Sequence, residues 1–122
     1  ATKYREYFSA YSISKTAIVR LTENLSKEYA DTNMNFFALA PGMMKTKMFF
    51  KTHLKKYIKN YSKKISFTDP ANSYELIKVL INEKSNKLSG KLFSVKWDKW
   101  QNLKYLKKIK KNQELLTLRR KI

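Results

Sequence analysis

A tyrosine and a lysine stand four residues apart near the start of the sequence, as Tyr11 and Lys15. On an α-helix, residues i and i+4 lie one above the other on the same face, so the phenol and the ammonium group can meet at one small molecule. A free phenol has a pKa of about 10 and transfers protons poorly at neutral pH unless a nearby positive charge stabilises its phenolate. The spacing therefore predicts a proton-transfer pair, with the lysine as the electrostatic partner of the tyrosine.

A second group of residues with chemical potential follows a short apolar run. Residues 35–40 are apolar without alternation, which is typical of a strand buried on both faces of a parallel sheet. Pro41 and Gly42 end this run, and Thr46 follows four residues later. The pattern predicts that backbone groups and a threonine hydroxyl lie at the end of a buried strand.

Periodic side chains predict the elements that must position these residues. Residues 9–29 carry one helical stripe, and the predicted apolar side of this helix consists of Tyr11, Lys15, Ile18, Thr22, Leu25 and Tyr29, broadened by Ala10, Ala17 and Leu21. Asp69 and Pro70 suit the N-cap and the first position of a further helix, whose predicted apolar face is Leu76, Ile77, Leu80 and Ile81. Residues 90–97 predict a second strand, and Trp100, Leu103, Leu106 and Ile109 predict a C-terminal helix.

The composition restricts the classes of protein that the chain can represent. Its 122 residues are 43% hydrophobic, enough for one small domain, and contain no Cys, which excludes disulfides and thiolate zinc sites. The N-terminus lacks the apolar core of a signal peptide, and no apolar stretch reaches the length of a membrane-spanning helix. We therefore expect a cytoplasmic protein, and the sequence indicates no metal site.

The charge of the chain is strongly positive. A formal net charge of +18 arises from 27 Lys and Arg against 9 Asp and Glu, which raises nucleic acid or an anionic membrane as partners. Only four of the basic residues are Arg, few for a surface that reads bases. The excess also fits a general bias towards Lys, Ile and Asn.

The basic stretch around residues 47–64 predicts an amphipathic helix, with its apolar stripe from Phe50 to Ile65. A solvated or lid helix is favoured there over a membrane or nucleic-acid surface, and His53 within it is expected to be a solvated surface residue. Trp97 and Trp100 are expected in a core or an interface rather than in a base-stacking platform.

In this order, the motifs resemble the C-terminal half of the short-chain dehydrogenase/reductase family. The resemblance covers residues 1–97: Tyr11-x-x-x-Lys15, a long helix, a buried strand, Pro41-Gly42-x-x-x-Thr46, variable helices and a late Ser89-Gly90-Lys91-Leu92 strand. It implies an α/β fold, the C-terminal part of a Rossmann-type doubly wound parallel sheet with about two strands and flanking helices. Residues 1–122 would form one incomplete domain of this kind, with 98–122 as a C-terminal extension.

The resemblance also implies the chemistry. Tyr11 would be the catalytic acid/base and Lys15 its partner, both beside an NAD or NADP cofactor. Pro41, Gly42 and Met44 would pack on the nicotinamide, and Thr46 would bind its carboxamide, cap the following helix, or do both. Residues 47–65 would form the mobile substrate-binding region. The parent protein would act on a small carbonyl/alcohol substrate and would be a homo-oligomer.

Several parts of the family pattern lie upstream of the tyrosine and have no counterpart among the ten residues that precede Tyr11. These are the Gly-rich phosphate-binding turn, the ribose selector, the active-site Asn and the catalytic Ser. We therefore expect a fragment of an NAD(P)-dependent oxidoreductase that is inactive alone. The alternative is a non-catalytic cationic module that binds nucleic acid or an anionic membrane, although neither is the expected partner of a dehydrogenase.

Overall fold

The computed structural model describes residues 7–47 and 66–118. Its elements are helix α1 (Ser9–Glu28), strand β1 (Phe37–Ala40), helix α2 (Pro70–Ile81), a short 3-10 turn (Asn86–Leu88), strand β2 (Lys91–Ser94) and helix α3 (Leu103–Lys111). The predicted basic helix and His53 lie outside the described residues. The long first helix, the two strands, the capped second helix and the C-terminal helix are all confirmed.

The two strands form a parallel sheet in which Phe37 pairs with Lys91 and Ala40 with Ser94. Parallel strands need a long crossover connection, and residues 41–90, which include α2, provide it. A two-stranded parallel sheet flanked by helices is a partial Rossmann-type α/β fold, as expected.

One face of this sheet carries the apolar core. Phe93 is fully buried there, and Phe37 and Leu39 pack against the same cluster. The other buried members come from α2, the 3-10 turn, the end of β2 and α3: Leu76, Leu80, Leu88, Val95, Trp100, Leu106 and Ile109. Residues beyond Ser94 therefore complete the core of the sheet.

The opposite face is covered by α1, which contacts both strands. Val19 and Ala38 are buried but lie outside the main cluster. The side of α1 that faces the sheet is mostly small and polar: Ser12, Thr16, Val19, Thr22, Glu23 and Ser26 are buried or half-buried. Gly90 lets the helix approach closely, because a Cβ at this position would lie 2.2 Å from the Ser26 Oγ.

This arrangement corrects the predicted apolar face of α1. The side chains of Tyr11, Ile18, Leu21 and Tyr29 are between 41% and 56% exposed. The apolar stripe read from the sequence therefore lies beside the sheet-facing side, because close packing against Gly90 favours small residues there.

Other predictions of burial are confirmed in part. Asp69 caps α2 by accepting a hydrogen bond from Ala71 N at 2.9 Å, with Pro70 as the first helical residue. Ile77, Ile81 and Leu103 were expected on apolar faces but are exposed. Trp100 is buried, and its Nε1 donates to the Val95 carbonyl at 3.1 Å. Trp97 is 78% exposed, so a core position is wrong for it.

The segment after α3, residues 112–118, runs along the outer edge of β2. Leu92 N donates to the Leu116 carbonyl at 2.8 Å. Lys91 is a buried residue, and its ammonium donates to the carbonyls of Asn112, Gln113 and Leu115 at 3.3, 3.1 and 2.9 Å. On α1, Glu23 accepts from Leu118 N, and Arg20 donates to the Leu118 carbonyl. The C-terminal segment therefore joins β2 to α1.

Of the helices described, none is long and apolar enough to cross a membrane.

Candidate functional site

The direction of α1 brings its N-terminal half to the carboxyl edge of the sheet. Ser26, near the end of α1, lies against Gly90, which directly precedes β2, and Gly90 N donates to Phe36 just before β1. The C-terminal end of α1 is therefore at the amino edge. With a rise of about 1.5 Å per helical residue and about 3.3 Å per strand residue, Lys15 is roughly level with the strand ends.

Tyr11 and Lys15 contact each other on successive turns of α1. The Lys15 Nζ lies over the Tyr11 ring, 5.6 Å from its centroid. Phe8 meets the same ring edge-on, with centroids 6.2 Å apart. Tyr11 is 51% exposed, so its phenol is accessible to a ligand. The structure thus brings together the two residues that the sequence singled out, on one helix face and open to solvent.

The orientation of the pair follows from its helical positions. At about 100° per residue, Tyr11 and Lys15 lie about 80° and 40° around α1 from the buried Val19. Both side chains therefore flank the sheet-facing side of α1.

The turn after β1 holds the other predicted site residues. Gly42 has a φ of +86°, in the left-handed region that favours glycine, and Pro41, Met43 and Met44 are half-buried. Thr46 N donates to the Met44 carbonyl at 3.0 Å, and the helix that Thr46 was expected to cap lies outside the described residues. The turn and the Tyr11/Lys15 pair share the carboxyl edge, but each is held by different neighbours.

Thr68 holds this turn in place, and no sequence signal identified it. Its backbone N donates to the Met43 carbonyl at 2.8 Å. A Cβ on Gly42 would lie 2.3 Å from the Thr68 Oγ1, and this buried hydroxyl has no hydrogen-bond partner among the described residues. The missing side chain of Gly42 therefore makes room for Thr68.

The surroundings of the two glycines indicate whether the described residues could bind the pyrophosphate of a dinucleotide. Pyrophosphate groups rest on glycine backbone amides at a helix N-terminus. The chain has two glycines, and Gly42 packs on Thr68 while Gly90 packs on Ser26. The exposed Tyr11 leaves room for a ligand beside Lys15, whereas neither glycine is placed to hold a pyrophosphate.

The structure draws attention to a second Tyr-x-x-x-Lys sequence, which the sequence reading missed. Tyr74 and Lys78 lie on α2, with the Lys78 Nζ 4.9 Å from the centroid of the Tyr74 ring. Lys78 also forms an ion pair with Glu75 at 2.8 Å. Each member of this pair lies about 160° around α2 from the buried Leu76, so both point away from the sheet.

A third polar cluster follows β2 at the same edge. The Asp98 carboxylate accepts from Ser94 N at 2.6 Å and from the Tyr105 hydroxyl at 2.7 Å. Burial and the neighbouring Asp98 raise the pKa of Tyr105, so this phenol stays protonated and acts as a structural donor. Within residues 7–47 and 66–118, no group of three His, Cys, Asp or Glu side chains could hold a metal ion.

Comparison with known proteins places these features in a family. Residues 1–56 match the model of the short chain dehydrogenase family. Over 84 residues the chain is 30% identical to dehydrogenase/reductase SDR family member 4 of Sus scrofa; the aligned part covers 66% of this chain and 30% of that relative. No solved structure matches. Residues 1–56 include helix α1 and the turn after β1, and the two matches together support membership of the chain in the short-chain dehydrogenase/reductase family.

Proposed function

We propose that the chain is the C-terminal part of an NAD(P)-dependent oxidoreductase that interconverts a carbonyl compound and its alcohol. The observation that carries this proposal is the Tyr11/Lys15 pair, which is accessible on one face of α1 at the carboxyl edge of the sheet. Ligands of open α/β sheets bind outside the carboxyl ends of the strands. The chain spans about 30% of the length of its porcine relative, so the proposed activity is that of the chain together with an upstream Rossmann half.

In the proposed reaction, Tyr11 moves the proton. When bound, the nicotinamide supplies or accepts the hydride. During reduction, the Tyr11 phenol donates its proton to the carbonyl oxygen of the substrate, and in the reverse direction the phenolate takes the proton of the alcohol. Lys15 stabilises the phenolate by its charge, from a position that already lies over the ring.

The remaining site residues would hold the cofactor. Lys15 would donate a hydrogen bond to the ribose of NAD or NADP. The turn residues Pro41, Gly42 and Met44 would form the surface under the nicotinamide, and Thr46 would bind the carboxamide. The close fit of Thr68 under Gly42 supports this role, because it fixes the backbone of the turn.

In this proposal another polypeptide segment supplies the pyrophosphate site, because Gly42 and Gly90 are both used in packing. The parent protein is further proposed to be a homo-oligomer. Ile13, Ile18 and Leu21 leave an apolar side of α1 exposed, which supports an interface there. The 122-residue chain alone should bind a dinucleotide very weakly.

The test joins the chain behind an upstream Rossmann half and follows NAD(P)H oxidation over a panel of carbonyl compounds. Tyr11→Phe removes one oxygen and should lower turnover by about 10² to 10⁴, the usual contribution of a general acid or base. Cofactor affinity, measured by fluorescence titration, should stay within about twofold because the ring and Lys15 remain.

The matched control is Tyr74→Phe, which removes the same hydroxyl from the pair on α2 and should leave turnover unchanged. If Tyr11→Phe retains full turnover, or if both variants lose it equally, the assigned mechanism is wrong.

A further inference from the structure

The outer face of α3 carries four lysines at positions i, i+3, i+4 and i+7. This α3 lysine stripe consists of Lys104, Lys107, Lys108 and Lys111. All four side chains are exposed, whereas Leu106 and Ile109 on the inner face are buried in the core. At about 1.5 Å per residue, the stripe places four positive charges within about 10 Å of helix.

The stripe is not neutralised within the described part of the protein. Lys78 pairs with Glu75 and Lys110 with Glu83, but no ion pair or hydrogen bond joins the side chains of the stripe to a described residue. Like charges at i and i+4, such as Lys104 and Lys108, repel each other and destabilise a helix. An anionic ligand would remove this repulsion.

The surface along the stripe is open. The four lysines and Asn112 line a shallow depression on the outside of α3. Because the four positions share one exposed side of the helix, their charges suit a ligand with several negative charges.

From this arrangement we propose that the α3 lysine stripe is a binding site for the phosphate backbone of a nucleic acid, independent of its base sequence. Lysine is a compact point charge that suits phosphate oxygens without reading bases. Helices that bind membranes insert their apolar face, and here that face is occupied by the core. This excludes insertion of α3 and favours a nucleic acid over a lipid surface.

The test measures binding of the 122-residue chain to a short labelled DNA duplex by fluorescence anisotropy, between about 50 and 200 mM salt. Each neutralised duplex phosphate contributes about −0.9 to the slope of log K against log salt, so four contacts contribute about −3.6. The variant with all four stripe lysines changed to Gln should lose this share of the slope. At 50 mM salt, it should bind much more weakly than the unchanged chain.

The matched control changes Lys51, Lys55, Lys56 and Lys59 to Gln, which removes the same charge from the basic segment outside the described residues. Its slope should change by less than about one phosphate contact. If both fourfold variants lose the same share of the salt slope, affinity for the duplex follows net charge alone, and the proposal is overturned. Duplex binding that is unchanged in the stripe variant, or binding to phosphatidylserine vesicles without binding to DNA, would also overturn it.

Far-ultraviolet circular dichroism checks that the stripe variant folds, which is expected because Gln is a good helix former. If the fourfold variant does not fold, Lys104→Gln with Lys108→Gln should reduce the slope by about half as much. An unchanged slope in this folded double variant would contradict the proposal. Neither measurement depends on the proposed dehydrogenase activity.

Discussion

The two Tyr-x-x-x-Lys pairs of this chain share their spacing and a lysine above a tyrosine ring, yet they face different surroundings. On α1, Tyr11 and Lys15 flank the helix side that lies on the sheet, at its carboxyl edge. On α2, Tyr74 and Lys78 point away from the sheet, and Glu75 neutralises Lys78. Position relative to the sheet, rather than the motif, distinguishes the candidate site from a solvated pair.

The middle residues of the two pairs give the largest difference in stability. Leu76 is fully buried between Tyr74 and Lys78, whereas Ile13 between Tyr11 and Lys15 is 70% exposed. Leu76→Ala should cost about 2 to 5 kcal/mol of the free energy of unfolding, through lost burial and a cavity. Ile13→Ala should change it by at most about 0.5 kcal/mol. Chemical denaturation of both variants measures this, and similar costs would mean that α1 is buried on both sides.

The anchoring of α2 should make its end sensitive to pH. Burial alone would raise the pKa of Glu83, but hydrogen bonds from Lys110 and Ser85 hold the pKa below its ordinary value near 4.5. A lowered pKa in the folded state stabilises the protein above the unfolded value, and this contribution is lost as the pH falls through the folded value. Glu83→Gln should therefore cost about 1 kcal/mol at neutral pH.

The cost of Glu83→Gln should disappear when the pH is well below 4.5. Thermal melts of both proteins across this range provide the measurement. A difference that stays constant down to low pH would show that the ion pair with Lys110 has no such role.

The smallest expected effect is that of Glu75→Gln. This change tests whether the charge of Glu75 or the orientation of the α2 pair distinguishes Tyr74 and Lys78 from the candidate site. Glu75→Gln removes the carboxylate beside Lys78 and should change stability by at most about 0.5 kcal/mol, because both side chains of this ion pair are about half exposed. In the assembled enzyme carrying Tyr11→Phe, the added Glu75→Gln change should not restore turnover. Recovered turnover would show that Tyr74 and Lys78 can catalyse the reaction once Glu75 no longer neutralises Lys78. In that case their orientation away from the sheet would not be what prevents catalysis.

The sequence predicted the elements better than the surfaces that they bury. Helical spacing, the Asp69–Pro70 cap and two short apolar runs located α1, α2 and both strands. The burial of α1 was assigned to the wrong side, because a stripe of apolar residues does not show which surface of the molecule covers it. Close approach to Gly90 selects small side chains such as Ser26 instead.

The candidate site was predictable where its residues are close in sequence, as with Tyr11 and Lys15. Thr68 could not be predicted, because it meets Gly42 only after the chain has crossed 26 residues and returned to the same edge. The different orientations of Tyr74 and Tyr11 could not be predicted either, because they depend on which side of each helix packs on the sheet. The assigned chemical roles of Tyr11, Lys15 and the turn residues remain predictions.

The buried Lys91 sets a limit on how far the C-terminal segment can be shortened. The residue is only 2% exposed in the folded chain, and three acceptors of its ammonium are carbonyls between Asn112 and Leu115. A charge without compensating partners is expensive to bury. The burial of Lys91 in β2 therefore depends on a chain that extends at least to Leu115. A protease that cuts before Asn112 would remove these three acceptors. The charged Lys91 at the start of β2 would then be more stable in water than in the folded chain.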